Sequence, residues 1–386
     1  MRFYFLDFPP NQSYSKSSMF NPSIVKLDGE NNYLLSCRSF RRFKPTYTNS
    51  LVTNTNSLNH PWLNGPKSVA WFTVTDEGFD GTLFFLVRIE QRQIIIVKFL
   101  LELDTVIDVR LFKTTDQDVI VTGNKLVNSQ TIIVKSTIHI TTNPNPNNVY
   151  FDMDEFRPLC INLSETTEKN WSYWSYDDKN YISYNLAPKH IIFVEIPDKD
   201  FNEDDKEFQL LNQPRSISCL PFIAKDFNLF HDLSKFYKGH VSFSLSTPAI
   251  EFETDKYLAV GHSKVSYDIE NFDEFSDTPA QQFLDENRDL LSHPAVAYLM
   301  FFYTFNPVTL EILEISNSFI PPTTKDGVVF PAGLTQIDED TFMVSYGEGD
   351  FKCKFMSFRR DEIDEYLIKQ DAYTIDTYLF KSFHRM

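Results

Sequence analysis

Short apolar runs, each broken by turn-forming residues, recur along most of this chain. They cover residues 33–38, 68–74, 82–88, 93–100, 118–122, 131–135, 181–185, 190–194, 257–261, 297–304 and 341–345. Their enrichment in Val, Ile, Phe and Tyr predicts strands. Many short strands without intervening helices read as an all-β sandwich, barrel or propeller. Two stretches depart from this pattern. Residues 278–291 place Asp277 or Thr278 as a cap, Pro279 in the first turn, and Phe283, Leu284 and Leu291 as an apolar stripe. That predicts a helix inserted at about 277–292. Residues 361–369 predict a second helix, within a C-terminal extension of about 358–386. The Asn-Pro segment 143–148 and the acidic run 198–206 read as solvated loops. No linker interrupts the chain, so residues 1–386 are expected to form a single domain.

A loose unit repeats along the strand pattern: a strand, a polar residue at its end, then further strands. Its centres are Phe20–Val25 with Arg38, residues 107–110, residues 169–171, residues 247–250 with His262, and residues 329–332 with Asp350. They lie roughly 60 to 90 residues apart, wider than the ~40–50 of common propeller repeats. Five blades with insertions, arranged around a channel, would bring five polar clusters to one axis. Two of these centres stand out. Gly261 precedes His262, and Gly347-Glu348-Gly349 precedes Asp350, in a chain with only 11 glycines. Glycine lets backbone and ligand approach closely, so both turns are candidate pocket walls.

Composition narrows the function. The chain has 37 Phe and 18 Tyr, which supply large contact areas for strand packing. Its net charge of -17 argues against nucleic-acid binding, which needs a basic surface. Cys37, Cys160, Cys219 and Cys353 form no Cys-x-x-Cys pair and are expected as four buried thiols. His231-Asp232 and His240 match no metal spacing. The N-terminal apolar run is too short for a signal peptide, and no segment reaches the ~20 apolar residues of a membrane span. A cytoplasmic protein is the expectation, with Asn11 and Asn170 in unused sequons. Asp152-Met-Asp154 has the letters of a transferase metal motif without the βαβ context, so it reads as a loop. No nucleophile elbow, P-loop or dinucleotide fingerprint is present.

The order Asn21-Pro-Ser…Arg38, Asp108-x-Arg110, Lys169-Asn-Trp171, Thr247-Pro-Ala-Ile…Gly261-His262 and Val329-Phe-Pro-Ala-Gly333…Tyr346-Gly-Glu-Gly-Asp350 resembles glycoside hydrolase family 130. That family comprises β-mannoside phosphorylases and hydrolases, and it is related to the β-1,2-mannosyltransferases of glycosyltransferase family 108. The resemblance covers about residues 20–355 and implies a five-bladed β-propeller with its sugar site at the central channel. It implies Asp108 as general acid, within a motif where Ile107 and Val109 replace the family's Glu and Pro. It further implies Arg110 orienting that acid or touching the sugar, and Lys169, Asn170 and His262 around phosphate. Asp350 would ligate sugar hydroxyls. A further phosphate-site histidine is absent, since Tyr184 and Asn185 stand near its place.

The residues themselves leave alternatives open. An inverting displacement needs a carboxylic acid of raised pKa and a nucleophile on the opposite face of the sugar. Val106, Ile107 and Val109 surround Asp108 with apolar groups that would raise its pKa. A structural pairing of Asp108 with Arg110 is the competing reading. Arg38, near Arg41 and Arg42, suits bidentate phosphate recognition or a surface strand end. Lys169, Asn170 and Trp171 suit a charge, an amide and a ring platform for a sugar, or a turn before a core Trp. The expected function is formation or cleavage of β-mannosidic or related bonds, by a transferase or phosphorylase rather than a hydrolase. No cofactor is expected; phosphate, a sugar phosphate or a nucleotide sugar would be the co-substrate. The alternative is an inactive propeller that binds carbohydrate or a protein partner, and the oligomeric state is left open.

Overall fold

The computed structural model describes residues 1–7, 18–27, 31–41, 79–114, 118–127, 130–142, 149–160, 170–186, 189–195, 217–226, 241–266, 296–322, 328–349 and 352–369. After the N-terminal strand β1 (Arg2–Asp7), the described strands pair into antiparallel groups in chain order. The first group is β2 (Ser18–Lys26), β3 (Asn32–Arg41), β4 (Phe79–Glu90) and β5 (Gln93–Asp104). The second is β6 (Val106–Lys113), β7 (Val119–Val127) and β8 (Gln130–Thr142), with β9 (Val149–Met153) and β10 (Arg157–Cys160) both on β8. The third is β11 (Ser172–Tyr176), β12 (Lys179–Asn185), β13 (Lys189–Glu195) and β14 (Ile217–Asp226). In the fourth, β15 (Val241–Leu245) and β16 (Ile250–Glu253) both pair with β17 (Lys256–Ser266). That strand is followed by β18 (Val296–Phe305) and β19 (Ile312–Ile315). The last is β20 (Val329–Asp338), β21 (Thr341–Glu348) and β22 (Lys352–Arg359).

β1 closes the arrangement. It pairs antiparallel with β22 and parallel with β5, so the first and last groups share one 8-stranded sheet. β10 likewise joins the second group to the third through parallel pairing with β14. Four apolar cores lie between neighbouring groups rather than in one centre. Ile24, Leu35, Met343 and Phe355 fill the gap between the first and last groups. Leu34, Phe84, Leu111 and Val121 fill the gap between the first and second. Phe112, Ile133, Tyr173 and Ile182 join the second to the third, and Trp174, Phe252, Phe301 and Phe342 unite the remainder. Strands such as β4 are therefore covered on both faces, which explains apolar runs without polar alternation, whereas β15 alternates buried and exposed positions. Leu83, Phe84, Phe85, Leu86 and Val87 are all fully buried in consecutive positions of β4. This is an all-β propeller architecture, one of the three that the strand pattern leaves open.

Several local expectations change. Strand β17 runs on through Gly261 and His262 to Ser266, because β15 and β18 pair with it along its length. Asp152 lies in strand β9 rather than a loop, opposite His139. The helix expected at 361–369 is the shorter α1 (Arg360–Tyr366). It stops because the next residues form β23 (Ile368–Lys369), which pairs with β19. Among the cysteines, Cys37 is buried but Cys353 is only partly so. Cys160 and Cys219 belong to β10 and β14, and their side chains lie outside the described part of the structure. The helix expected at 277–292 and the loops at 143–148 and 198–206 also lie outside the described residues. Among the described residues no helix is long and apolar enough to cross a membrane.

Candidate functional site

In or just before the first strands of three groups the backbone turns left-handed. Asn21, Asp108 and Asn170 have φ of 46°, 52° and 64°, in the left-handed region that Asn and Asp tolerate better than other side-chain-bearing residues. Pairing slips between Phe20 and Ser23 on β2 and between Ile107 and Arg110 on β6. A third slip lies between Pro331 and Gly333 on β20. Such bulges twist a strand and re-aim its side chains. Pro22 and Pro331, which cannot donate to the ladder, sit at two of these slips. The bulges are tied together by buried bonds between groups. The Leu111 N–H donates to Ser23 Oγ at 2.9 Å, and Ser345 Oγ donates to the Pro22 carbonyl at 2.6 Å. Ser172 Oγ donates to the Thr247 carbonyl at 2.6 Å.

Asp108 is the hub. Its Oδ1 accepts from Asn21 Nδ2 at 2.9 Å, and Arg38 Nη1 reaches its two oxygens at 3.2 and 3.3 Å. Arg110 Nη1 donates to the Asp108 backbone carbonyl at 2.8 Å, and its Nε donates to the Ser246 carbonyl at 2.7 Å. The Ser246 hydroxyl in turn shares a 2.6 Å hydrogen bond with His262 Nδ1. Phe330 lies between Arg110 and His262, 5.1 Å from the guanidinium and 4.9 Å from the imidazole ring. Arg38 stacks over Phe20 at 5.2 Å. Two arginines thus flank one carboxylate on a partly aromatic floor, and a histidine is joined to the second arginine through Ser246.

The electrostatics reverse one expectation. Burial pushes the Asp108 carboxyl up, as its apolar neighbours suggest. The Arg38 and Arg110 charges, with hydrogen bonds from Asn21 and Arg38, outweigh burial and hold it below the usual carboxylate value. The raised-pKa acid expected from Val106, Ile107 and Val109 is therefore corrected to an ionised carboxylate. Burial also lowers Arg110 to about 10, against the pull of Asp108, so it stays cationic at neutral pH.

The structure brings Arg38, Asp108, Arg110 and His262 into one bonded cluster. Asn170 and Trp171 line the same cleft as Asp108 and Arg110, together with Thr122, Gly123, Asn124 and Ile133. Trp171 is itself buried, packed 5.6 Å from the Tyr184 ring, which suits a core residue behind the cleft more than a sugar platform. Lys169 and Asp350 lie outside the described residues. The pairing of Asp108 with Arg110 takes a different form from the strand-end ion pair. Arg110 holds the Asp108 backbone, and Arg38 meets its carboxylate. Asn21 and Phe330 were missed as site residues, while the resemblance implies a pocket rim at 244–246 and so at Ser246. The Asn-Pro at 21–22 carried a signal for Asn21, as a residue type that accepts left-handed backbone. Nothing local to Phe330 signalled its role.

The Asp108 cleft is tight, with about 10 Å³ of open space. A larger cavity of about 430 Å³ lies further along the same inner strands, between Val25, Lys26, Leu111, Lys113, Glu251 and Gln336. It does not include Asp108. The charge and hydrogen-bond convergence, rather than cavity size, marks the candidate site.

No protein-family model matches the sequence, and no curated protein matches it. Solved structures do match in fold. A β-1,2-mannobiose phosphorylase from Listeria innocua, in complex with β-1,2-mannobiose, aligns with 93% of this chain and 95% of its own at 13% identity and a TM-score of 0.50. A glycosyl hydrolase from Bacteroides ovatus aligns with 89% of this chain and 84% of its own at 12% identity and a TM-score of 0.50. A structure from the GH130 family of mannoside phosphorylases and hydrolases aligns with 89% of this chain and 84% of its own at 12% identity, with a TM-score of 0.43. At these identities the likeness to the first two establishes the fold alone, a propeller architecture of the kind that the motif order implies.

Proposed function

We propose that this chain is a carbohydrate-active enzyme that forms or cleaves β-mannosidic or related linkages at the Asp108 cleft. The carrying observation is the ionised Asp108 carboxylate held between Asn21 and Arg38, with Arg110 and His262 beside it. The fold supports the same reading, since it is shared along nearly the full length with a β-1,2-mannobiose phosphorylase. A carboxylate that is ionised at rest is prepared to act as a base. In the synthetic direction, an acceptor hydroxyl attacks the anomeric carbon while the bond from that carbon to a phosphate oxygen breaks. Asp108 takes the hydroxyl proton, and phosphate leaves with the bonding electrons. In the reverse direction the protonated Asp108 returns that proton to the glycosidic oxygen, directly or through a sugar hydroxyl. Arg38 and Arg110 supply charge for a phosphate or sugar phosphate, with His262 as a further anion contact. Lys169 would add to that set, with Asp350 and Asn170 on sugar hydroxyls. This favours a transferase or phosphorylase over a hydrolase, because two arginines flank the single carboxylate of the cluster among the described residues.

A second reading is a propeller that binds carbohydrate without turnover. The tight Arg38–Asp108 pairing in a cleft of about 10 Å³ favours it. Turnover assays separate the two. The protein is incubated with β-1,2-mannobiose plus phosphate, and with mannose 1-phosphate or GDP-mannose plus mannose. Sugar products are separated by chromatography, for wild type and Asp108→Asn. The enzyme reading expects product that falls about 100-fold or more in the variant. Sugar binding without product in any mixture supports the second reading and ends the first.

A further inference from the structure

Cys37 and Cys353 stand 316 positions apart in sequence, yet their sulfurs lie 3.6 Å apart. They face each other across the seam where the first and last strand groups meet. Cys37 is on β3, fully buried among Ile24, Leu35, Leu83, Met343 and Phe355. Cys353 is on β22 at the edge of the same core and is partly exposed. Cys37 lies where β3 passes the Asn21-Pro22 bulge, because pairing with β2 skips from Phe20–Arg38 to Ser23–Ser36. Cys353 pairs with Gly347, and a Cβ on Gly347 would come within 2.1 Å of Asn21 Oδ1. The two thiols therefore bracket the turn that carries Asn21, one residue from Arg38.

We propose that Cys37 and Cys353 form a reversible disulfide site that locks the seam between the first and last groups. A disulfide bond needs sulfurs about 2.05 Å apart, so closing it takes an approach of about 1.5 Å. The partly exposed Cys353 is the point of attack, and the buried Cys37 resolves it. With a hydroperoxide as oxidant, the Cys353 thiolate attacks the peroxide oxygen and the O–O bond breaks, leaving a sulfenic acid. The Cys37 sulfur then attacks that sulfur, the S–O bond breaks, and water leaves. In sum two thiols lose two hydrogens and hydrogen peroxide becomes two waters. A reducing dithiol restores both thiols by exchange. Burial, with the hydrogen bond and charge of Cys37, pushes the Cys353 thiol well above its ordinary value. The oxidation therefore quickens as pH rises, since the thiolate is the reacting species.

The seam is where a crosslink matters most for this architecture. Among the described residues, β1 is what bridges β22 and β5 there by strand pairing. A covalent bond would enclose most of the chain in one loop, which restricts the unfolded state strongly.

The test uses the full chain, reduced and then exposed to hydrogen peroxide at about pH 8.5. Remaining thiols are alkylated, peptides are mapped by mass without reduction, and melting is followed before oxidation, after it, and after dithiothreitol. The expected result is a peptide pair joined through Cys37 and Cys353, with Tm raised by about 5 °C and both changes reversed by dithiothreitol. Cys353→Ser should show neither the joined peptides nor the shift. Wild type that keeps both cysteines alkylatable, or crosslinks either one to another cysteine, overturns the site. Joined peptides with an unchanged or lower Tm overturn the lock.

Discussion

Asp108 shows how far a residue's chemistry departs from what its neighbours in sequence suggest. Val106, Ile107 and Val109 describe an apolar surrounding, and burial does push the carboxyl up. The deciding groups come from elsewhere: Asn21 is 87 residues away and Arg38 is 70. Only Arg110 was legible nearby, and it bonds the backbone of Asp108 rather than its carboxylate. Removing the charge should leave Arg38 and Arg110 without their counter-ion. Asp108→Asn is expected to lose about 2 kcal/mol at neutral pH, read from denaturant unfolding. The sign of the pH effect follows from the lowered pKa. The folded carboxyl holds its proton less tightly than the unfolded one, so its stabilisation is present above the unfolded value and lost as pH falls through the folded one. Wild type should therefore surrender this increment below about pH 4, while Asp108→Asn shows no such step. A neutral-pH stability equal to wild type would show that the carboxylate does not hold the two arginines.

At the scale of elements, the strands were readable and the reasons for their glycines were not. Long apolar runs predict buried strands, and packing on both faces of strands such as β4 accounts for them. Gly261 and Gly347 looked like places for a ligand to approach the backbone. Instead, a Cβ on Gly261 would come within 2.4 Å of the Phe301 ring, and one on Gly347 within 2.1 Å of Asn21 Oδ1. The neighbour that needs the space is another strand in each case, which local sequence does not reveal. Gly347→Ala should cost about 2 kcal/mol by overpacking. It should also weaken the Asn21–Asp108 bond, seen as a rise in the Asp108 pKa when its carboxyl carbon is followed by NMR. An unchanged Asp108 titration would show that β21 does not set the position of Asn21. The expected helix near the C-terminus was shortened for a similar reason: β23 gains a partner in β19, 53 positions back at Ile315↔Ile368.

For the whole molecule, stability against acid depends on a group outside the candidate site. His190 is fully buried on β13, bonded to Ser183 Oγ at 3.2 Å and to the Leu310 carbonyl at 3.2 Å. Burial lowers it to about 4, against the pull of the Leu310 carbonyl. The unfolded chain therefore binds this proton more readily, and stability falls as pH drops from about 6.5 to about 4. The loss should reach about 3 kcal/mol by denaturant unfolding, and His190→Gln should flatten the profile across that window. A wild-type profile that is already flat there would remove His190 as the acid-sensitive group.

The sequence by itself determined the all-β class, because apolar runs of that length and composition must be buried and they alternate with turn residues. It also determined where backbone could turn left-handed, since Asn and Asp stand at 21, 108 and 170. The tertiary structure alone decided which side chains meet. Arg38 reaches Asp108, Arg110 reaches Ser246 across 136 positions, and Cys37 reaches Cys353 across 316. The physical reason is ring closure. Inner strands far apart in sequence come together only when the groups pack side by side and β1 joins the last to the first; the loose repeat hints at a shared axis but does not say which side chains bond across it.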